Sequence, residues 1–224
     1  MKDFIIYGTG DFADLVENCI INGMDRSVCA YCVDQQYLTE TEYHGKPIVA
    51  FEEVEKYYSP EQYAMVIGFI GKNMYSQREE KFLAAKQKGY DMENVIHKSS
   101  ILEGEYLGEG NIILQNVILA PKSVVHDNNV LCPKTYICHH VHVGSNNYFA
   151  PGGSTTGNVE VGNNCFIGVN SSINNKVKVA DYTFVGGNLF ISRNTKPNEM
   201  YLPQRSVAMK NLKSVNFNVF TPNR

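Results

Sequence analysis

Residues 137–168 read ICHHVHVGSNNYFAPGGSTTGNVEVGNNCFIG, and every sixth residue of this stretch is apolar except Thr155. The spacing continues in both directions, from Val95 to Ile191, and the residue after each apolar one is often Gly, Ala, Ser or Cys. Neither the 3.6-residue period of an α-helix nor the two-residue period of a hairpin strand produces this pattern. A period of six, apolar and then small, is typical of a parallel β-helix in which three hexapeptides form one triangular coil.

The length of the repeat sets the size of this domain. The 90 residues from Ile101 to Phe190 would form about five coils of about 18 residues each. Residues that tolerate a positive φ are expected at the corners, where the chain turns from one face to the next. The candidates are five pairs that contain Asn: Asn128-Asn129, Asn146-Asn147, Gly157-Asn158, Asn163-Asn164 and Asn174-Asn175. After Lys196 the chain is expected to leave the repeat.

The first 94 residues follow a different pattern. An apolar run, Phe4–Tyr7, ends at Gly8-Thr9-Gly10, and a segment with helical spacing separates it from a second apolar run that ends at Asp34. This order predicts a small Rossmann-like βαβ domain with a parallel sheet. The glycine turn would present backbone N–H groups at a helix start to a phosphate, and Asp34 would accept hydrogen bonds from a ribose or a base. An ordinary strand-to-helix turn is the alternative, because Ala13 stands where the dinucleotide motif has its third glycine.

The composition argues against several classes of function. A formal net charge of −3 gives no support to a nucleic-acid partner. The apolar runs are all shorter than a membrane span, and the first residues already have a strand pattern, so we expect a cytoplasmic protein that does not insert into membranes. The six cysteines lack the spacing of a disulfide framework, and Cys29-x-x-Cys32 has no second pair with which to bind a metal.

Three histidines, His139, His140 and His142, lie within one hexapeptide. The repeat phase places His139 and His140 at a corner, and residue 157, one coil further along, falls on the same corner a few Å away. Residue 157 is a glycine, so no side chain covers its N–H. An imidazole beside an open backbone donor supplies a base and an oxyanion-stabilising group, the minimal set for acyl transfer. The alternatives are solvated turn histidines or a metal site, which would need a further convergent ligand. His142 is interpreted as structural.

The combination of these features resembles the NeuD/PglD family of sugar acetyltransferases. The resemblance depends on the glycine turn with Asp34, the corner histidine, and the segments Gly157-Asn158-Val159 and Cys165–Asn170, and it extends to about residue 200. It implies a nucleotide-sugar domain at residues 1–94, a left-handed β-helix acyltransferase domain at residues 95–200 and a C-terminal tail at residues 201–224. It also implies acetyl-CoA as the donor and a homotrimer with active sites between subunits.

The same resemblance implies roles for individual residues. His139 would be the catalytic base, with His140 beside it, and the amide of Gly157 would meet the thioester carbonyl. The residues implied at the acetyl-CoA site are Tyr148, Gly168, Gly186 and Gly187, and those implied at the nucleotide-sugar site are Gly8, Thr9, Gly10 and Asp34. His140 stands where some relatives have an acidic residue that orients the base, and Tyr148 stands where they have a second histidine.

The predicted function is acetylation of the amino group of a UDP- or dTDP-linked amino-deoxy sugar, in surface-glycan synthesis. The amine would attack acetyl-CoA directly, with no metal and no covalent acyl-enzyme. Two alternatives stay open: O-acetylation of a sugar hydroxyl, and a homologue that binds the sugar nucleotide without transferring acetyl. A purely structural solenoid is not favoured, because such proteins need ranks of like residues on a flat face, and the outward positions here are mixed.

Overall fold

The structure, a computed structural model, describes residues 2–71, 76–204 and 206. Its N-terminal part contains a five-stranded sheet whose strands alternate with helices. The strands are β1 (Asp3–Tyr7), β2 (Val28–Val33), β3 (Glu42–Tyr43), β4 (Lys46–Ala50) and β5 (Tyr63–Ile67), in the order β3-β4-β2-β1-β5. The helices are α1 (Asp11–Asn18), α2 (Val54–Tyr57) and α3 (Ser76–Gln87), with a π-helical turn, Cys19–Gly23, after α1 and 3-10 turns at Gln35–Tyr37 and Phe51–Glu53.

The sheet is parallel except at its short edge strand β3. Strands β1 and β5 are buried along almost their whole length, which agrees with their continuous apolar sequences, because helices cover both faces of a parallel sheet. The parallel sheet predicted from the sequence is therefore present. The carboxyl ends of β1, β2 and β5 lie side by side at one edge, where ligands bind in folds of this kind.

Residues 95–201 form a parallel β-helix with three faces, each a ladder of two-residue strands. The first face contains β7 (Ile101–Leu102), β10 (Ile118–Leu119), β13 (Tyr136–Ile137), β16 (Ser154–Thr155), β19 (Ser172–Ile173) and β22 (Phe190–Ile191). The second face contains β8 (Tyr106–Leu107), β11 (Val124–Val125), β14 (His142–Val143), β17 (Glu160–Val161) and β20 (Lys178–Val179). The third face contains β6 (Val95–Ile96), β9 (Ile112–Ile113), β12 (Val130–Leu131), β15 (Tyr148–Phe149), β18 (Phe166–Ile167), β21 (Phe184–Val185) and β23 (Met200–Tyr201).

The corners of the β-helix follow the hexapeptide phase. Every sixth residue from Gly110 to Asn188 has a positive φ, and each lies three residues after an inward position of the repeat. One residue of each of the first four predicted pairs occupies such a position, namely Asn128, Asn146, Asn158 and Asn164, but the prediction for Asn174-Asn175 is wrong, because Lys176 has the positive φ there. The position in the repeat fixes the backbone conformation, so even Lys and His adopt it where Asn or Gly is absent.

The first coil departs from the predicted register. Val95 pairs with Ile112 and Ile101 pairs with Ile118, so each aligns with an outward residue of the next coil, and Ile101 is 51% exposed. The chain is one residue shorter between β7 and β8 than in later coils. The apolar period seemed unbroken because Val95-Ile96 and Ile101-Leu102 are apolar in both phases.

The C-terminal end of the repeat also differs from expectation. The chain does not leave the β-helix at Lys196, because β23 pairs with β21 in parallel and extends the third face. Ten residues separate Ile191 from Tyr201, whereas two complete hexapeptides would require twelve, so the last turn is shortened. Residue 205 and residues 207–224 of the predicted tail lie outside the described residues.

The two parts of the chain share a hydrophobic core. Ile112, Val130 and Tyr148 of the third face pack in one cluster with Phe4 and Val16 of the N-terminal part. The backbone N–H of Gly110 donates to the carbonyl of Met92 at 2.7 Å, which closes the junction. The N-terminal part therefore lies against the third face and away from the corner opposite it. None of the helices in the described ranges is long and apolar enough to span a bilayer.

Candidate active site

His139 lies at the corner between the first and second faces, and its imidazole packs on Gly157 of the next coil. A Cβ placed on Gly157 would be 2.5 Å from Cε1 and 2.8 Å from Nε2 of His139. The ring therefore occupies the space that any side chain at position 157 would fill. His139 is exposed and Gly157 is buried beneath it. We call His139, His140, Gly157 and Asn158 the histidine corner.

The backbone N–H of Gly157 has no acceptor within residues 2–71, 76–204 and 206. At the corner between the second and third faces, the equivalent N–H groups donate to a side chain one coil further: Asp127, Ser145, Asn163 and Asp181 accept in turn, at 2.7–3.2 Å. Asn175 is the equivalent residue one coil beyond Gly157, but its Nδ2 donates to the Gly157 carbonyl at 2.7 Å and its side chain does not accept from the Gly157 N–H. An unpaired donor at a buried residue calls for an external acceptor, and a developing oxyanion is one.

His140 contacts the ring of His139. The two Nδ1 atoms are 3.1 Å apart, and the rings are nearly perpendicular, at 85°. One of the two nitrogens must carry the proton and the other must accept it, so both rings cannot be doubly protonated in this geometry. If Nδ1–H of His139 donates, Nε2 of His139 holds the free lone pair that a general base needs. The contact between the two Nδ1 atoms can therefore fix the tautomer of the His139 ring.

His142 lies apart from this corner. It is exposed on the second face, in register with Glu160 of the next coil, and Glu160 pairs with Lys178 at 2.8 Å. The three side chains line an open groove of about 740 Å³ that runs along this face. His142 is therefore exposed and does not pack in the core, so core packing does not support its interpretation as a structural residue.

The residues implied at the acetyl-CoA site lie elsewhere on the β-helix. Gly168 and Gly186 stack on one another at the corner between the third and first faces, and a Cβ on Gly168 would be 2.5 Å from the backbone of Gly186. Gly187 follows at the same corner. Tyr148 lies on the third face, where its ring stacks on Phe166 with centroids 5.6 Å apart. Within one chain, the first face separates these glycines from the histidine corner.

The residues implied at the nucleotide-sugar site converge. Gly8, Thr9 and Asp34 line a cavity of about 360 Å³ at the carboxyl ends of β1 and β2, and Thr9 and Gly10 line a neighbouring cavity of about 240 Å³. Gly8 and Gly10 have φ values of 115° and 113°, a conformation that favours glycine. The glycine turn thus has the required geometry, but Asp11 and Asp14 in the first turn of α1 oppose a phosphate at that helix start.

Asp34 is already engaged within the cavity. Its Oδ1 accepts hydrogen bonds from the Tyr7 hydroxyl and from Lys81 Nζ, the latter at 2.9 Å. Burial and the Asp34 hydrogen bond raise the pKa of Tyr7, so this phenol stays protonated. Burial acts to lower the pKa of Lys81, but the hydrogen bond and charge of Asp34 outweigh it and the pKa is raised. Asp34 therefore holds a cation in the cavity and offers a ligand its remaining oxygen.

Sequence reasoning missed Tyr7, Lys81 and Phe69, which line the same cavity. Tyr7 directly precedes the glycine turn, so its place at the strand end was a usable signal. Lys81 lies in α3, far from Asp34 in sequence, and nothing in the local pattern distinguishes it from other helical lysines. Over the described ranges, no three His, Cys, Asp or Glu side chains converge as metal ligands.

The same fold occurs in solved sugar acetyltransferases. A histidine-to-asparagine mutant of perosamine N-acetyltransferase from Caulobacter crescentus, in complex with CoA and GDP-perosamine, is 18% identical with a TM-score of 0.80, over 89% of this chain and 93% of that chain. The acetyltransferase domain of PglB from Neisseria gonorrhoeae is 16% identical with a TM-score of 0.79, over 89% and 96%. WeeI from Acinetobacter baumannii is 17% identical with a TM-score of 0.75, over 89% and 96%.

These likenesses confirm the predicted parallel β-helix. At 16–18% identity they establish the architecture, and the chemistry has to be argued from the residues of this chain. Scans against protein-family models and against curated proteins find no match.

Proposed function

We propose that this protein is an acetyl-CoA-dependent acetyltransferase that acts on the amino group of a nucleotide-linked amino-deoxy sugar. The observation that carries the proposal is the contact of the His139 imidazole with Gly157, whose N–H lacks an acceptor among the described residues. The fold shared with solved structures that contain CoA and GDP-perosamine supports the same class of substrates. We expect the product to be used in glycan synthesis.

The reaction needs only groups that the histidine corner can supply. The amine nitrogen of the acceptor attacks the thioester carbonyl carbon, a C–N bond forms, and the Gly157 N–H donates to the oxygen as negative charge develops on it. The C–S bond then breaks and CoA leaves as the thiolate. Nε2 of His139 takes the proton that the nitrogen loses and returns it to the thiolate, while Nδ1 stays in contact with His140.

The acceptor nucleotide is proposed to bind in the cavity lined by Gly8, Thr9, Asp34 and Lys81. Lys81 supplies positive charge, and the free oxygen of Asp34 accepts a hydrogen bond from the base or the ribose. The sequence points to UDP or dTDP, and the Caulobacter structure contains a GDP sugar. All three nucleotides therefore belong in the substrate panel.

We propose a homotrimer, and the positions of these two sites support an assembly of several chains. The N-terminal part packs on the third face, whereas the histidine corner lies between the other two faces, on the opposite side of the same coils. One chain therefore does not bring its own nucleotide cavity to its own His139. We propose that a neighbouring copy supplies the cavity, and that Tyr148, Gly168, Gly186 and Gly187 reach acetyl-CoA across the same junction.

Thiol release from acetyl-CoA tests the activity. UDP-, dTDP- and GDP-linked amino sugars are compared with the corresponding hydroxyl sugars, and turnover with one amino sugar is expected. His139→Ala should lower kcat by about 10²–10⁴-fold with an unchanged melting temperature, because a general base contributes about that much. His97→Ala, remote from the corner, is the matched control. If the wild type binds a sugar nucleotide but releases no thiol with any acceptor, the protein is a homologue that binds the sugar nucleotide without transferring acetyl.

Mixed assemblies test the arrangement between subunits. A His139→Ala chain and an Asp34→Ala chain are each expected to be inactive alone. When co-expressed with different tags, they should regain part of the wild-type rate, because some junctions then combine an intact cavity with an intact histidine. No recovery in a purified mixed trimer would show that each chain uses its own two sites.

A further inference from the structure

Thr155, the one polar residue at an inward repeat position, lies two residues before Gly157. It is 1% exposed inside a column that is otherwise apolar. Its Oγ1 accepts a hydrogen bond from the backbone N–H of Cys138, the residue before His139, at 3.1 Å. The hydroxyl thus joins the two coils that form the histidine corner, one residue before His139 and two residues before Gly157.

This hydrogen bond replaces one that other coils make through the main chain. On the same face, Ala120 N–H donates to the Ile137 carbonyl at 2.9 Å and Thr156 N–H donates to the Ile173 carbonyl at 3.0 Å. The corresponding bond would run from Cys138 N–H to the carbonyl of residue 155, and the hydroxyl takes its place. Only Tyr136 and Ser154 remain paired between β13 and β16, whereas the neighbouring rungs of this face keep two pairs.

We propose that Thr155 is a positioning residue, whose hydroxyl sets the spacing of the two coils so that His139 seats on Gly157. The proposal rests on the proposed function only for its kinetic consequence. The side-chain acceptor replaces the regular main-chain bond between Cys138 and residue 155 directly before the point where a ring has to fit between these two coils. An apolar residue of the same shape would leave the Cys138 N–H unpaired or would pull the ladder into its regular form, and either change moves the ring.

Matched substitutions separate the hydroxyl from core packing. Thr155→Val keeps the shape and removes the acceptor, and Thr155→Ser keeps the acceptor and removes a methyl group. We expect Thr155→Val to lower kcat at least tenfold, with KM for acetyl-CoA and for the acceptor unchanged within twofold and with a melting temperature no lower than that of the wild type. Thr155→Ser should keep kcat within about twofold and melt at a lower temperature. Thr183→Val, another buried threonine with a hydrogen-bonded hydroxyl, should leave kcat unchanged.

A second measurement works even if the protein proves not to be a transferase. In protein labelled with ¹⁵N-histidine, the His139 ring resonances report the tautomer and its pH titration. They should be shifted in Thr155→Val and unchanged in Thr155→Ser and Thr183→Val. If Thr155→Val does not fold, Thr155→Ala and Thr155→Ser form a second pair that differs by the hydroxyl. Unchanged His139 resonances in the variant without a hydroxyl, or equal loss of kcat in both members of a pair, would overturn the role of Thr155.

Discussion

The substitution Gly157→Ala tests the histidine corner with the smallest possible change. The added Cβ would lie 2.5 Å from Cε1 and 2.8 Å from Nε2 of His139, whereas carbon atoms in contact stay about 3.5 Å apart. The ring must therefore move by about 1 Å. Because His139 is exposed and Gly157 has no left-handed φ, the ring can yield without strain in the backbone.

The expected effects on stability and on rate are different. Alanine restricts the unfolded chain by about 0.4–1 kcal/mol more than glycine does, which offsets the cost of moving an exposed ring, so the free energy of unfolding should change by less than about 1 kcal/mol. A displacement of about 1 Å in a catalytic group can cost about 100-fold in rate. This loss corresponds to about 2.7 kcal/mol of transition-state stabilisation.

The assay combines thiol release at saturating acetyl-CoA with thermal denaturation of the same preparation. Gly153→Ala is the matched control, since its Cβ would lie 3.1 Å from the Ala150 carbonyl and contact no histidine. The control should keep the wild-type kcat. A Gly157→Ala protein with full kcat, or one whose loss of activity merely follows a loss of folded protein, would refute the proposed contact between the imidazole and the open amide.

Three further outcomes are expected. His140→Ala should reduce kcat about tenfold by removing the ring nitrogen that contacts His139. His140→Asn should keep most of the wild-type kcat, because Asn tolerates the positive φ and offers an oxygen to Nδ1–H of His139. Equal losses of kcat in the two variants would contradict the proposed contact. Asn129→Ala should lower the free energy of unfolding by about 3 kcal/mol or more in urea denaturation. The two N–H groups of this buried amide are shared among three acceptors and its oxygen accepts from the Asn147 N–H, and each group left unpaired costs about 1–3 kcal/mol. A loss below about 1 kcal/mol would count against this account. Burial raises the pKa of the Cys132 thiol to about 11 and that of Cys165 to about 12. At pH 8 iodoacetamide should therefore label both thiols only after the protein unfolds, as measured by peptide mass spectrometry. Labelling of the folded protein at the rate of the unfolded protein would show that the thiols are accessible.

Much of the candidate site could be predicted from one sequence because a β-helix turns sequence distance into spatial distance. In this fold, residues 18 apart stack directly, so His139 and Gly157 could be paired by counting alone. The same counting failed at the first coil, where Val95-Ile96 and Ile101-Leu102 can both satisfy the apolar position and a missing residue leaves no trace in the pattern.

Contacts between separate helices and strands of the N-terminal part could not be predicted by counting residues. Tyr7, Asp34 and Lys81 meet because β1 and β2 end at one edge of the sheet and the middle of α3 lies beside it, and no periodicity links their positions. The replacement of a main-chain carbonyl by the Thr155 hydroxyl as hydrogen-bond acceptor could not be predicted either. The sequence shows a polar residue at an inward position, but it does not show the hydrogen-bond partner of that residue.

The sequence by itself determined the β-helix and, from the second coil onward, its phase and the residues that share each corner, because apolar residues at a strict six-residue spacing can all be buried in only one register. Only the tertiary structure decided which sites a single chain brings together. The N-terminal part buries its apolar surface against the third face, and that packing, which no local pattern encodes, places the cavity beside Asp34 away from the histidine corner.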